Sequence, residues 1–343
     1  MVQGRVQGMR LCWKGFAAPA VMLVLLAAPM AGRATSCSTQ AALLPQDRDA
    51  LTAAGGRLAV AVAEQDMAAL KAALLPAVAQ DWEGISSEAQ VGAVLMKGGQ
   101  VQLRSLYLLD ATSLGAPADT QFFCSNASGS VTVTLTMRAL PPGRYAVVLA
   151  DAAGAPYAGQ LGFILAWDGP AGGWKLGGLT VRPGALDGHD GVWWWSHARE
   201  LARTNQDRID GWSAWYAYDA ARMLLLPMDF LSSPNLEKLV TEQTAIRNSP
   251  QNAFPLMLPD GPRTWKIDAV WLDPTLLHAD LGVAYESTGV TDPAAQRTEA
   301  IVVLSALLKA QPGLRENFHG LWAYAVKDGK RTPVIELPMA QIP

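Results

Sequence analysis

The chain reads as α+β, with helices gathered first and antiparallel strands after them. Apolar residues recur at helical spacing between residues 47 and 97, and from Val101 onward the period drops to two, most cleanly in Val131-Thr132-Val133-Thr134-Leu135-Thr136-Met137. A third observation is that residues 264–343 repeat the mixture on a smaller scale, two strands, a helix and a hairpin, so a second α+β domain is expected.

The first 36 residues read as an export signal. Arg5, Arg10 and Lys14 precede an apolar run through residues 15–31, and Ala34-Thr35-Ser36 supplies the small residues of a cleavage site; Met9 offers a second start. The run is shorter than the ~20 residues that span a bilayer, and no later stretch is long enough, so the mature chain is expected to have no transmembrane span. Cleavage after Ser36 makes Cys37 the first mature residue. Its sulfur then has two fates, a lipid anchor or a disulfide. With Cys12 removed, only Cys37 and Cys124 remain, an even count in an oxidising compartment, and a Cys37–Cys124 bridge is the preferred expectation.

Charge excludes one class of partner. The chain has 27 basic and 30 acidic residues; residues 1–36 hold four of the basic ones and no acid, leaving 23 against 30, or −7. The basic residues are scattered, so nucleic acid is not expected as a partner.

Element by element, Asp47 and Asp49 bias a first turn, with Leu51, Leu58 and Val62 on one face, and Met67, Leu70 and Leu74 on the next. Glu64-Gln65-Asp66 separates the two, and 81–94 gives a third helix. Strands follow at 101–109, 131–137, 144–149, 159–167 and 174–181, with turns at Pro141-Pro142-Gly143 and Asp168-Gly169-Pro170. Short helices broken as in "AVAEQDMAALKAALLP", then hairpins ending in "FILAWDGPAGGWKLGGLTVRP", resemble the NTF2-like (cystatin-like cone) fold over residues 46–183. That resemblance implies a fold and no single function, since the superfamily includes small-molecule isomerases and dehydratases as well as binding and assembly domains.

Residues 187–226 return to helical spacing as a hairpin, Trp194, Ala198, Leu201 and Ala202 on one helix, Ile209, Trp212, Tyr216, Ala220 and Met223 on the other, joined at Asn205-Gln206-Asp207. The small residues Ala202, Ala214 and Ala221 over 190–226 resemble one tetratricopeptide unit. A lone unit must pack on a neighbour. Residues 227–263 are rich in Pro, Ser and Asn and read as a linker with one short helix, 236–246. The C-terminal domain, 264–343, is expected to hold strands at 264–272 and 276–287, a helix begun at Thr291-Asp292-Pro293, and a hairpin of 321–326 with 333–337.

For chemistry, residues 37–188 hold no histidine, whereas enzymes of the NTF2-like superfamily generally place a His or an Asp pair inside the cone. The sharpest polar cluster is Asp187, His189 and Asp190 around Gly188. As a metal site it needs a further ligand such as His197; the plainer reading is that an Asp caps the next helix. Seven aromatics crowd the hairpin, Trp193, Trp194, Trp195, Trp212, Trp215, Tyr216 and Tyr218, and form either a domain interface or an exposed binding strip. His278 and His319 have no acid or histidine at ligand spacing and read as structural. No nucleophile elbow, zincin, phosphate loop or dinucleotide motif occurs, so no metal or cofactor is expected. The sequence therefore points to an exported, periplasmic or secreted, non-catalytic protein that binds a partner protein or envelope component. The alternative is an enzyme with a small apolar substrate in the cone, or a polymer on the aromatic hairpin with Asp187 and Asp190 as acid and base.

Overall fold

A proline at the first helical position gives up only an N–H that has no partner there, and Asp47 adds a negative charge in the first turn, so the chain enters a helix over Pro45–Ala63. It leaves that helix at Gln65, whose φ of 59° turns the chain back, and Asp66 caps the next helix, Met67–Ala72, by accepting from the amide of Ala69 at 2.9 Å. A third helix runs over Trp82–Met96. These are features of a computed structural model that describes residues 35–203 and 210–343, without the side chains of residues 170 and 171. The signal read over residues 1–36 lies outside the described residues except for Thr35 and Ser36, as do Asn205-Gln206-Asp207 and Ile209. The described residues all belong to one unit, Ala34–Pro343.

The three helices lie on a five-stranded antiparallel sheet ordered Ser36–Thr39, Gln100–Asp110, Arg144–Ala153, Gly159–Trp167, Trp174–Pro183. Two glycines set the distance between layers. A Cβ on Gly55 would stand 2.6 Å from the Val148 side chain, and one on Gly92 would stand 2.7 Å from Val62. The layer between helices and sheet is filled by Leu51, Leu58, Val62, Leu70, Leu161 and Phe163, all buried.

One strand pair departs from the simple meander that the sequence suggests. Ala118–Ser125 and Val131–Leu140 leave the main sheet as a hairpin, joined by Leu231–Ser232 in a three-stranded sheet, so that Gln100–Asp110 pairs directly with Arg144–Ala153. The buried faces of Phe122, Leu135 and Met137 explain this: they form a core of their own with Leu109, Val147 and Met228. The bridge between Cys37 and Cys124 is present, with Cα atoms 5.0 Å apart. It joins two sheets at their edge strands.

The helical hairpin consists of Gly191–Arg203 and Gly211–Leu225, and a further helix, Pro234–Thr244, is capped by Ser233. The C-terminal sheet is ordered Leu256–Asp260, Arg263–Asp273, Asp280–Glu286, Gly320–Lys327, Lys330–Pro338. Leu256–Asp260, which falls in the expected linker, is thus its edge strand. Asp280–Glu286 and Gly320–Lys327 pair in parallel, and the helix Pro293–Ala310 makes the crossover that a parallel pair requires. The hairpin helices and this sheet share one core, in which Tyr216, Phe318, Leu281, Val283, Leu304 and Leu321 are buried together. Among the described residues no helix is long and apolar enough to cross a membrane.

Asp219 makes that core pH-sensitive. Burial raises its carboxyl to about 6 from an ordinary 3.8, while the 2.7 Å bond from the Gln243 side-chain amide and the charge of Arg222 pull it back. A carboxyl raised on folding binds its proton more tightly in the native state. The group therefore favours folding most below its unfolded value, and that contribution is lost as pH rises through about 6. Asp219→Asn, which keeps an acceptor for Gln243, is expected to stabilise the protein at neutral pH by about 1–2 kcal/mol after screening at this half-buried site. Urea midpoints measured across pH should show the gain shrinking to nothing towards acid pH.

Candidate functional site

The aromatic hairpin is mostly spoken for. Trp194, Trp212, Tyr216 and Tyr218 are buried, and Trp194 and Tyr216 pack on Phe318 at ring distances of 6.2 and 6.3 Å. The Tyr216 hydroxyl donates to the Val270 carbonyl at 3.3 Å, and burial raises its pKa. Trp195 and Tyr218 end on Glu242. The Trp195 indole N–H donates at 2.7 Å, the Tyr218 hydroxyl at 3.3 Å, and the Arg199 guanidinium closes a two-point pair at 2.8 and 2.9 Å while lying 4.2 Å over the Trp195 ring. The Arg199 bond holds Glu242 below its ordinary range; burial, then the Glu242 charge, pushes Tyr218 up to about 12. Trp215 is half-buried, with its carbonyl accepting from Gln243. Of the seven aromatics read as a binding strip, only Trp193 is exposed, at 39%, and it lies between the rings of His189 and His197, at 3.7 and 4.8 Å.

The polar loop divides in two. Asp190 accepts from the Trp193 amide at 2.8 Å, the capping role expected for one of its acids. Asp187, at φ 50° beside Gly188, turns away: one oxygen meets Nδ1 of His278 at 2.5 Å and the other accepts from the Ala279 amide at 2.8 Å. His189 stacks on Trp193, and His197 meets the Asn317 side chain at 3.0 Å. Asp187, His189, Asp190 and His197 therefore do not assemble as a ligand set.

The partners that Asp187 finds belong to a site the sequence reading misses. His278 lies in the turn ahead of Asp280–Glu286, and its ring stacks on His319 at 3.8 Å and 12°. His319 in turn places Nδ1 2.8 Å from an oxygen of Asp280, whose other oxygen accepts from the Trp322 indole at 3.2 Å. Each ring is held at Nδ1 by its aspartate, and Nε2 takes no part in that bond. The reading of His278 and His319 as lone structural residues is corrected: two Asp–His pairs stand face to face.

Strand alternation builds the rest. Leu281, Val283, Leu321 and Ala323 face the core, so the intervening positions face out. Register sets Trp271 beside Gly282, Asp273 beside Asp280, Gly282 beside Trp322, and Trp322 beside Glu336. A Cβ on Gly282 would stand 2.3 Å from the Trp271 ring, so only glycine lets that indole lie across the strand. Trp271, Tyr324 and Trp322 then form a row at 5.0 and 6.4 Å, each half-buried, with the Arg331 guanidinium 5.2 Å over Trp271. The Tyr324 hydroxyl donates to Asp273 at 2.8 Å; burial, then this bond, pushes it up to about 12. Gly320 opens the acidic end, because a Cβ there would stand 2.9 Å from Asp280 and 3.2 Å from Glu336. The face thus sets three aromatic rings beside four carboxylates and two imidazoles. Comparison with protein-family models, curated proteins and solved structures finds no match to this chain.

Proposed function

We propose that this is an exported binding protein that takes a saccharide of the cell envelope on the outer face of its C-terminal sheet. The observation that carries the reading is the row Trp271–Tyr324–Trp322 bordered by Glu336 and His319. A sugar ring has an apolar C–H face and a rim of hydroxyls. Half-buried aromatic rings suit the first, and carboxylate and imidazole acceptors suit the second. The leader-like first 36 residues and the Cys37–Cys124 bridge support an oxidising compartment, periplasmic or extracellular. A sulfur held in that bridge carries no lipid, so the bridge favours a free protein over one anchored through Cys37.

The test is retention of the protein on envelope polysaccharides, followed by calorimetry with the oligosaccharides that compete. Trp271→Ala is expected to weaken binding at least tenfold, whereas Trp193→Ala on the hairpin leaves it unchanged. Retention that is indifferent to Trp271 overturns the reading. A second reading, a hydrolase at the same face, draws on the stacked His278 and His319 rings, each held at Nδ1 by an aspartate, as bases. Release of shortened oligosaccharides during the same incubation separates it from binding alone.

A further inference from the structure

The carboxylates of Asp280 and Glu336 and a ring nitrogen of His319 lie within 4.8 Å of one another. They arrive from separate places: Asp280 opens one strand, His319 stands just before the parallel strand beside it, and Glu336 lies on the next strand in register with Trp322. Gly320 is what lets them converge, since a side chain there would meet both carboxylates.

Electrostatics gives the cluster a direction. Asp280 is wholly buried, and the groups that satisfy it are the His319 ring and the Trp322 indole, neither of them a lysine or an arginine. Asp187, Asp273 and Glu336 add three more carboxylates nearby, and among the described residues no Lys or Arg makes an ion pair with any of the four. A buried anion without a cationic partner carries a large desolvation cost, and a cation placed among these groups offsets it.

We propose that Asp280, His319 and Glu336 bind a divalent first-row metal ion, with zinc the best match. One imidazole nitrogen and two carboxylate oxygens make a three-ligand set that leaves the fourth tetrahedral position to water or to a ligand oxygen, and the proton shared between His319 Nδ1 and Asp280 leaves to solvent where Nδ1 is the ligand atom. Calcium and magnesium are disfavoured, because both require more oxygen ligands than this set supplies. The surroundings match the outer shell of such a site: the Trp322 N–H fixes the second oxygen of Asp280, and the His278 ring, itself held by Asp187, backs His319. His319 keeps a third of its side chain exposed, at 34%, which leaves a way in. This inference goes beyond the saccharide reading and does not depend on it.

The experiment uses the full chain, stripped with chelator and titrated with zinc by calorimetry and native mass spectrometry. One ion per chain is expected, and cobalt in its place should give visible absorption bands of a four- or five-coordinate ion. Glu336→Gln and His319→Gln, each checked for native circular dichroism, are expected to weaken zinc at least tenfold, while His189→Gln and His197→Gln bind as the unaltered protein does. Failure of the unaltered chain to take up zinc, equal affinity in Glu336→Gln and His319→Gln, or calcium binding as tight as zinc would each overturn the proposal. Absence of saccharide retention with zinc uptake intact counts against the saccharide reading alone.

Discussion

The double substitution Cys37→Ala/Cys124→Ala is expected to destabilise the protein by about 4 kcal/mol, through the loop-closure entropy returned to the unfolded chain. The two cysteines are 87 residues apart, a long loop, and the bond is the covalent tie between two sheets. Alanine is the right replacement, because Cys124 is fully buried beside Phe122 and Leu135 and a serine there would add the cost of an unpaired hydroxyl. Locally the effect should be larger. Ser36–Thr39 is a four-residue edge strand, held by its pairing with residues 107–110, by the Thr39 hydroxyl donating to the Ser125 carbonyl at 3.4 Å and by this bond. For a chain of about 300 residues the loss corresponds to a melting midpoint lower by roughly 6 °C, read by calorimetry, with proteolysis expected first at the N-terminal strand. Identical midpoints with and without reductant would show that the bond does not constrain the chain.

The regular elements were legible because each rests on local chemistry. Asp66, Ser233 and Asp292 cap the helices that follow them, Pro45, Pro234 and Pro293 start theirs, and the strict alternation of residues 131–137 specifies a strand wherever it packs. The bridge followed from counting cysteines. What sequence spacing could not show is pairing between distant segments. Asp187 reaches His278 across 91 residues, where the loop before the hairpin packs on residues 277–279, and Asp280 reaches His319 across 39, a contact made because Asp280–Glu286 and Gly320–Lys327 lie parallel around a crossover helix. Of the two readings of the aromatic hairpin, the domain interface is the one the packing matches. Tryptophans clustered in sequence mark a place where much area is buried, and here that area is spent joining helices to the C-terminal sheet. A signal for the aromatic face of the C-terminal sheet was present in the alternation of Trp322-Ala323-Tyr324 and Trp271-Leu272-Asp273, and in glycines at 282 and 320 inside strand patterns, where close approach is the usual reason for them.

Asp280→Ala is expected to cost roughly 2–4 kcal/mol, the penalty for leaving two part-buried donors without the acceptor they share. The carboxylate is fully buried and accepts from two donors on different parts of the chain, the His319 ring at 2.8 Å and the Trp322 indole at 3.2 Å. Truncation leaves both N–H groups facing a void with nothing to accept them, and an unpaired buried donor costs about 1–3 kcal/mol each. Asp280→Asn separates charge from shape. Its single oxygen can still serve one donor, while its amide meets the other donor head-on, so it should fall between the unaltered protein and alanine in urea midpoint. Trp322→Phe provides the converse control, deleting one donor while the acceptor keeps the other. If the Asp280→Ala protein unfolds at the same urea concentration as the unaltered chain, the carboxylate is not held as described. The alignment of His319, and with it the acidic end of the aromatic face, then has no physical support.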